Sequence, residues 1–131
     1  MDLTTPILFA ATADADRSRH FYEKILRLEF IADEPYALVF RSGDTQLRIQ
    51  KVYRKPGIPH TVLGWAVADI RKTVRELAAA GVEFIRYPGL EQDPDALWRS
   101  PSGAQVAWFR DPDENTLSLT EQGTYGAGKS G

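Results

Sequence analysis

Gln105-Val106-Ala107-Trp108-Phe109-Arg110-Asp111-Pro112-Asp113-Glu114-Asn115-Thr116-Leu117-Ser118-Leu119-Thr120 decides the reading of this chain. Two apolar-rich runs flank a turn from Asp111 to Asn115. An aspartate at Asp111 opens a turn with its own side chain. Pro112 presets φ for the next position, and Asn115 tolerates a left-handed backbone. Beyond the turn, Leu117 and Leu119 alternate with Thr116, Ser118 and Thr120, the period of a half-buried strand. The stretch predicts a β-hairpin.

Working outward, Pro6 to Ala11 is a short apolar run that predicts a buried strand. Asp14 sits where a helix N-cap belongs. From Asp14 to about Leu28, Ser18, Phe21, Tyr22, Ile25 and Leu28 share one helical face, and Arg17, His20, Lys24 and Arg27 share the other. Tyr36 to Phe40 and Thr45 to Tyr53 read as strands around a Ser42-Gly43-Asp44 turn. Lys55-Pro56-Gly57-Ile58-Pro59 is a linker, since its prolines and glycine cannot continue regular structure. Thr61 to Ala68 predicts a strand. Asp69 caps a second helix to about Ala80, and Gly81 suits its end. Val82 to Arg86 reads as a strand, Pro88 to Pro94 as loop, and Leu97 to Ser100 as a short strand. Pro101-Ser102-Gly103 turns into the hairpin.

The order is β-α-β-β-β, linker, β-α-β-β-β, and the sequence itself repeats. Ala13-Asp14 and Ala68-Asp69 each open a helix. Leu28-Glu29-Phe30-Ile31 and Val82-Glu83-Phe84-Ile85 each leave one. Asp44-Thr45-Gln46-Leu47-Arg48-Ile49 matches Glu114-Asn115-Thr116-Leu117-Ser118-Leu119. The last offset is wider, because the second half carries an extra loop around Pro88–Asp95.

Phe109-Arg110-Asp111-Pro112-Asp113-x-Asn115-x-Leu117 resembles the last hairpin of the glyoxalase/bleomycin-resistance/extradiol-dioxygenase superfamily, the vicinal oxygen chelate fold. Asp14-x-x-Arg17-Ser18-x-x-Phe21-Tyr22-x-x-x-Leu26 resembles that family's first helix. The resemblance spans about residues 6 to 121. It implies an α+β fold of two paired βαβββ modules forming a curled mixed sheet around a cavity. Module 1 covers about 6–53 and module 2 about 61–121 of a single domain at 1–121, with a Gly-rich tail at 122–131. Glu114 departs from the family turn, which has glycine there. A left-handed backbone at that point costs a non-glycine roughly 1–2 kcal/mol.

Catalytic members of the family hold a divalent metal on His, Gln or Glu at matching points of the two modules. Those positions here are Ile7, Arg48, Val62 and Ser118. Two aliphatics, a cation and a hydroxyl do not make the oxygen or imidazole set that such an ion needs. No metal and no cofactor are therefore expected. His20 lies on the polar helix face and reads as a surface histidine. His60 shares strand parity with Val62, so it reads either as an ordinary loop histidine or as a cavity-edge residue.

Parity brings Phe9, Gln46, Gln50, Gly64, Thr116 and Thr120 to the side of Ile7, Arg48, Val62 and Ser118. Phe9, Arg48, Gln50, His60, Trp98, Trp108 and Ser118 are the candidate ligand-binding residues. Arg48 can pair an anionic group through its fork of donors, or it can pair a structural carboxylate or reach solvent. Trp98 and Trp108 offer flat contact to an aromatic ligand, with core or interface packing as the alternative. Trp65, of opposite parity to Gly64, is expected to pack elsewhere. No carboxylate falls on this parity, so His60 is the one candidate general base, and no catalytic residue is assigned.

The function expected is a metal-independent binding protein for a small aromatic or anionic molecule. The alternatives are a metal-dependent lyase, isomerase or dioxygenase of glyoxalase type, and a regulatory or structural dimer with a filled core. The family implies a homodimer. With 131 residues and net charge −2 of interspersed sign, neither nucleic acid nor an acidic membrane is expected as a partner. The chain has no cysteine, which excludes disulfides and thiol chemistry. No signal peptide opens it and no apolar run approaches about 18 residues, so a cytoplasmic location is expected. Gly123-Thr124-Tyr125-Gly126-Ala127-Gly128-Lys129-Ser130 matches the letters of a phosphate-binding loop. That grip needs a following helix, and the sequence runs only to Gly131, so nucleotide hydrolysis is not expected.

Overall fold

The computed structural model describes residues 1–123, and the phosphate-loop letters and the Gly-rich tail lie almost wholly outside the described residues. The chain divides into two compact units. Unit 1 comprises residues 1–63 and 111–116, and unit 2 comprises residues 64–110 and those from 117 on.

Unit 1 begins with β1 (Ile7–Thr12) and α1 (Ala15–His20), followed by β2 (Glu29–Asp33), β3 (Ala37–Ser42) and β4 (Thr45–Lys51). The strands form a sheet in the order β1-β4-β3-β2, with β1 parallel to β4 and the other pairs antiparallel. Alternation along the strands separates two faces. Leu38, Phe40, Leu47 and Ile49 are buried on one, where Phe40 meets the rings of Tyr22 and Phe30. The other face carries Ile7, Phe9 and Ala11 opposite Gln46, Arg48 and Gln50.

Asp14 caps α1 by accepting from the Arg17 amide at 3.2 Å. The helix does not run on to Leu28 as expected. It widens into a π-helical turn at Phe21–Ile25, closed by the Leu26 amide on the Phe21 carbonyl, and Arg27 leaves it at φ +60°. The widened turn carries two consecutive buried aromatics, Phe21 and Tyr22, with ring centroids 5.3 Å apart. Apolar periodicity cannot register one extra residue in a single turn. β4 likewise stops at Lys51, leaving Tyr53 wholly exposed.

The second sheet contains β5 (Thr61–Ala66), β6 (Trp98–Arg99), β7 (Gln105–Arg110) and β8 (Thr116–Glu121), in the order β5-β8-β7-β6. In unit 2, α2 (Ile70–Ala79) starts from Asp69, which accepts from the Lys72 amide at 3.1 Å. Gly81 at φ +100° ends it in a conformation that suits glycine. Ile70, Val74, Val82, Ala107, Phe109, Leu117 and Leu119 are buried in this unit.

The expected strand at Val82–Arg86 does not form. It leaves a single bridge from Phe84 to Phe109 and one bond from the Ile85 amide to the Trp108 carbonyl. The reason lies in the side chain of Gln92. Its Nε2 donates to the Ile85 carbonyl at 2.9 Å, and its Oε1 accepts from the Tyr87 amide at 2.8 Å. Those backbone groups are thus satisfied by a side chain rather than a ladder. The expected strand at Leu97–Ser100 shortens to Trp98–Arg99.

The two four-stranded sheets with few helices make an α+β architecture. No helix among the described residues is long and apolar enough to cross a membrane.

Candidate functional site

The hairpin turn is a buried polar knot inside unit 1. Asp111 accepts four hydrogen bonds. Its Oδ1 takes the Asp113 and Asn115 amides, each at 2.9 Å. Its Oδ2 takes the Tyr22 hydroxyl at 2.6 Å and the Asn115 Nδ2 at 2.8 Å. This fills the acceptor capacity of a carboxylate. Asn115 also donates to the Ala11 carbonyl, and Asp113 Oδ1 accepts from the Ala13 amide, both at 2.8 Å. The linker is held here too, through the Gly57 amide on the Asp113 carbonyl and the Thr116 hydroxyl on the Ile58 carbonyl.

Burial pushes the Asp111 carboxyl above its usual range, and the hydrogen bonds from Tyr22, Asn115 and Asp113 pull it part of the way back. Desolvation first, and then the Asp111 charge, hold the Tyr22 phenol well above its ordinary value. The knot is structural, because the Asp111 carboxylate and the Tyr22 hydroxyl are spent within it; Asp113 Oδ2 and Asn115 Oδ1 are buried there without a hydrogen-bond partner among the described residues. The role of Asp111 in opening the turn was legible in the sequence, but Tyr22 as its partner was not. The two are 89 residues apart.

The face of the first sheet that carries Phe9 is different in kind: Ala37 and Val39 are buried on it, but it is open along β1. Ile7 and Phe9 are 46% and 48% exposed, among the larger apolar exposures within a strand. Register sets Phe9 opposite Arg48 and places Gln46 and Gln50 on the same face. A cleft of about 480 Å³ is lined in part by Pro6, Ile7, Ile31, Val39 and Gln46. Arg48 is engaged already: its Nη2 donates to Glu34 Oε1 at 2.7 Å and its Nη1 to Gln46 Oε1 at 3.2 Å. Arg41 faces Glu29 and Lys51 faces Asp33 in further ion pairs, so the basic groups beside this face are compensated. Glu34 escaped sequence reasoning because its loop position gives no parity signal.

Of the remaining candidates, Trp98, Trp108 and Ser118 belong to unit 2. His60 is exposed at a bend before β5, and His20 is exposed on α1. Trp98 and Trp108 meet in unit 2 with ring centroids 5.9 Å apart, and Tyr87 stands edge-on to Trp108 at 5.3 Å. Ser118 is buried in the second sheet against Gly64. A Cβ added at Gly64 would lie 2.4 Å from its Oγ, which puts both residues on one face.

The four positions that the family resemblance assigns to a metal do not fit one. Ile7 and Val62 have no donor atom, Arg48 is a cation paired with Glu34, and Ser118 is a lone hydroxyl packed against a glycine. No other group of three His, Asp or Glu side chains is arranged for a metal among the described residues.

Comparison with known proteins agrees with this architecture. The profile of the Glyoxalase/Bleomycin resistance protein/Dioxygenase superfamily matches residues 6–119. The chain belongs to that superfamily. Among solved structures it resembles a lactoylglutathione lyase from Agrobacterium tumefaciens at 18% identity and TM-score 0.69, covering 92% of this chain and 96% of that one. A superfamily member from Sphaerobacter thermophilus matches at 22% identity and TM-score 0.70, covering 92% and 100%. Another from Nocardioides matches at 18% identity and TM-score 0.71, covering 96% and 87%. At such identities these neighbours bear on the fold alone. No curated protein matches the sequence.

Proposed function

We propose that this chain is a metal-independent binding protein whose ligand is a small aromatic or otherwise apolar molecule seated on the open face of the first sheet. The observation that carries this reading is the exposure of Ile7, which lines the cleft, and of Phe9 two residues along the same face, in a sheet whose other face buries Leu38, Phe40, Leu47 and Ile49. Exposed apolar surface on a rigid sheet gains free energy when a ligand covers it, at about 25 cal/mol per Å². An anionic group on the ligand would have to displace Glu34 from Arg48, so charge is secondary to apolar contact. Gln46 and Gln50 supply neutral polar contacts on that face. The same reading includes a homodimer and a cytoplasmic location, both expected from the family and the composition.

The experiment is a thermal-shift screen of the purified protein against flat aromatic compounds, with and without Zn²⁺, Ni²⁺ and Mn²⁺. Stabilisation by an aromatic compound, independent of metal and lost in Phe9→Ala, is the expected result. Stoichiometric metal, with metal-dependent turnover of methylglyoxal–glutathione hemithioacetal or a catechol, would overturn the reading in favour of a glyoxalase-type enzyme. Sedimentation velocity tests the dimer.

A further inference from the structure

The extra loop of the second module has no counterpart in the first, and almost none of it is regular structure. Such a loop inside a compact unit is uncommon without a function. Here it is heavily cross-linked. Arg86 donates to the carbonyls of Gln92, Asp93 and Pro94. Gln92 ties Ile85, Tyr87 and Ala96 together. Asp93 Oδ1 accepts the Asp95 and Leu97 amides, and Arg71 of α2 clamps Asp93 and Asp95 at 2.7 and 2.5 Å. Ala96, a buried non-glycine, is held at φ +63° in the left-handed region, which costs roughly 1–2 kcal/mol. Strain of this kind persists where surrounding bonds over-determine it, and it clusters at functional sites.

The loop, α2 and the edge of the second sheet border an open cleft of about 370 Å³. Its size lies within the range of small-molecule sites. Arg71 and Asp93 neutralise one another on its wall, and Gln92 is spent on the backbone. Leu97 is buried and Trp98 half-buried, which gives the lining an apolar part. Glu91, Arg99 and Gln105 also line it, and none of the three has a side-chain hydrogen bond or ion pair with another described residue. Arg99 and Gln105 are cross-strand partners in the β6–β7 register, so they stand side by side.

We propose that this cleft is a second binding site, for a small zwitterion with an apolar body, the chemical class of an apolar α-amino acid. Arg99 and Gln105 receive the carboxylate, Glu91 receives the ammonium, and Leu97 with Trp98 receives the side chain. One uncommitted acid and one uncommitted base match one charge of each sign. The loop is pre-organised by its own bonds, so binding pays little ordering cost. No residue of this cleft belongs to the face carrying Phe9.

The test is titration of L-phenylalanine into the ¹⁵N-labelled full chain, with phenethylamine and 3-phenylpropionate as probes that each lack one charge. The expected result is saturable shifts confined to residues 91–99 and Gln105. Each truncated probe should bind at least about ten-fold more weakly. Arg99→Ala and Glu91→Ala, both at exposed positions, should each weaken L-phenylalanine by a similar factor while the rest of the spectrum stays unchanged. No saturable shift at millimolar probe would overturn the proposal. Equal binding of 3-phenylpropionate and L-phenylalanine, or shifts centred on Phe9 and Arg48, would overturn it as well.

Discussion

Replacing Tyr22 by Phe isolates one bond of the buried knot. The ring stays, with its contacts to Phe21 at 5.3 Å and Phe40 at 5.8 Å, so no cavity opens. What leaves is the hydroxyl that donates to Asp111 Oδ2 at 2.6 Å, where both residues are almost wholly buried. A hydrogen bond to a charged acceptor contributes about 1.5–3 kcal/mol, and burial shields this one from bulk solvent. Asp111 keeps its other three donors, which limits the damage. The expected loss is about 2 kcal/mol, or about 8 °C in Tm at about 4 °C per kcal/mol for a chain of this length.

Urea denaturation followed by tryptophan fluorescence measures it, and the m-value should not change. The loss should also depend on pH. The Asp111 carboxyl has a raised folded pKa, so its contribution to stability is complete below the ordinary aspartate value and is lost as pH rises through the folded value. The Tyr22 hydrogen bond is the strongest influence holding that value down. Without it the folded pKa climbs further, so the gap between variant and parent is smallest in acid and widens toward neutral pH. A loss below about 0.5 kcal/mol, or a gap that narrows from acid to neutral pH, would refute the reasoning about this bond.

The same linkage acts in alkali. The raised Tyr22 phenol makes the parent lose stability as pH climbs above the ordinary tyrosine value, and Tyr22→Phe should flatten that limb in a pH series of thermal melts. Gly64→Ala should cost about 1–3 kcal/mol, since its Cβ would sit 2.4 Å from Ser118 Oγ and 3.2 Å from the Ser118 carbonyl oxygen. Adding Ser118→Gly should recover part of that loss, and strict additivity in the double-mutant cycle would show that the two do not collide. Glu114 sits at φ +60°, as a turn position that the family fills with glycine would require. Glu114→Gly should therefore raise stability by about 0.5–1 kcal/mol, after allowing for greater freedom of the unfolded chain and for the half-exposed Lys55 pair. A lowered Tm in that variant would show that the ion pair outweighs the backbone strain.

The local signals were legible wherever one residue type answers one backbone need. Asp14 and Asp69 cap their helices through their own side chains, and Gly81 ends α2. Parity along β1 and β4 put Ile7, Phe9, Gln46, Arg48 and Gln50 on one face, because a pleated strand permits only two faces. Reading failed where a distant side chain intervened. Gln92 took the Ile85 carbonyl that a strand at Val82–Arg86 would have paired, and Glu34 took the guanidinium that stood ready for a ligand's anion.

By itself, then, the amino-acid sequence determined most of the elements, the duplication and the absence of metal donors at Ile7, Arg48, Val62 and Ser118. These follow from periodicity, caps, turns and donor chemistry, which act over a few residues. Only the tertiary structure decided which charges are spent and which are free. Tyr22 and Asp111, Arg48 and Glu34, and Arg71 and Asp93 meet across 89, 14 and 22 residues. Nothing local in the chain encodes such meetings, because they depend on where whole elements pack. The same packing leaves Phe9 half-exposed on its sheet and leaves Glu91 and Arg99 without a side-chain partner among the described residues.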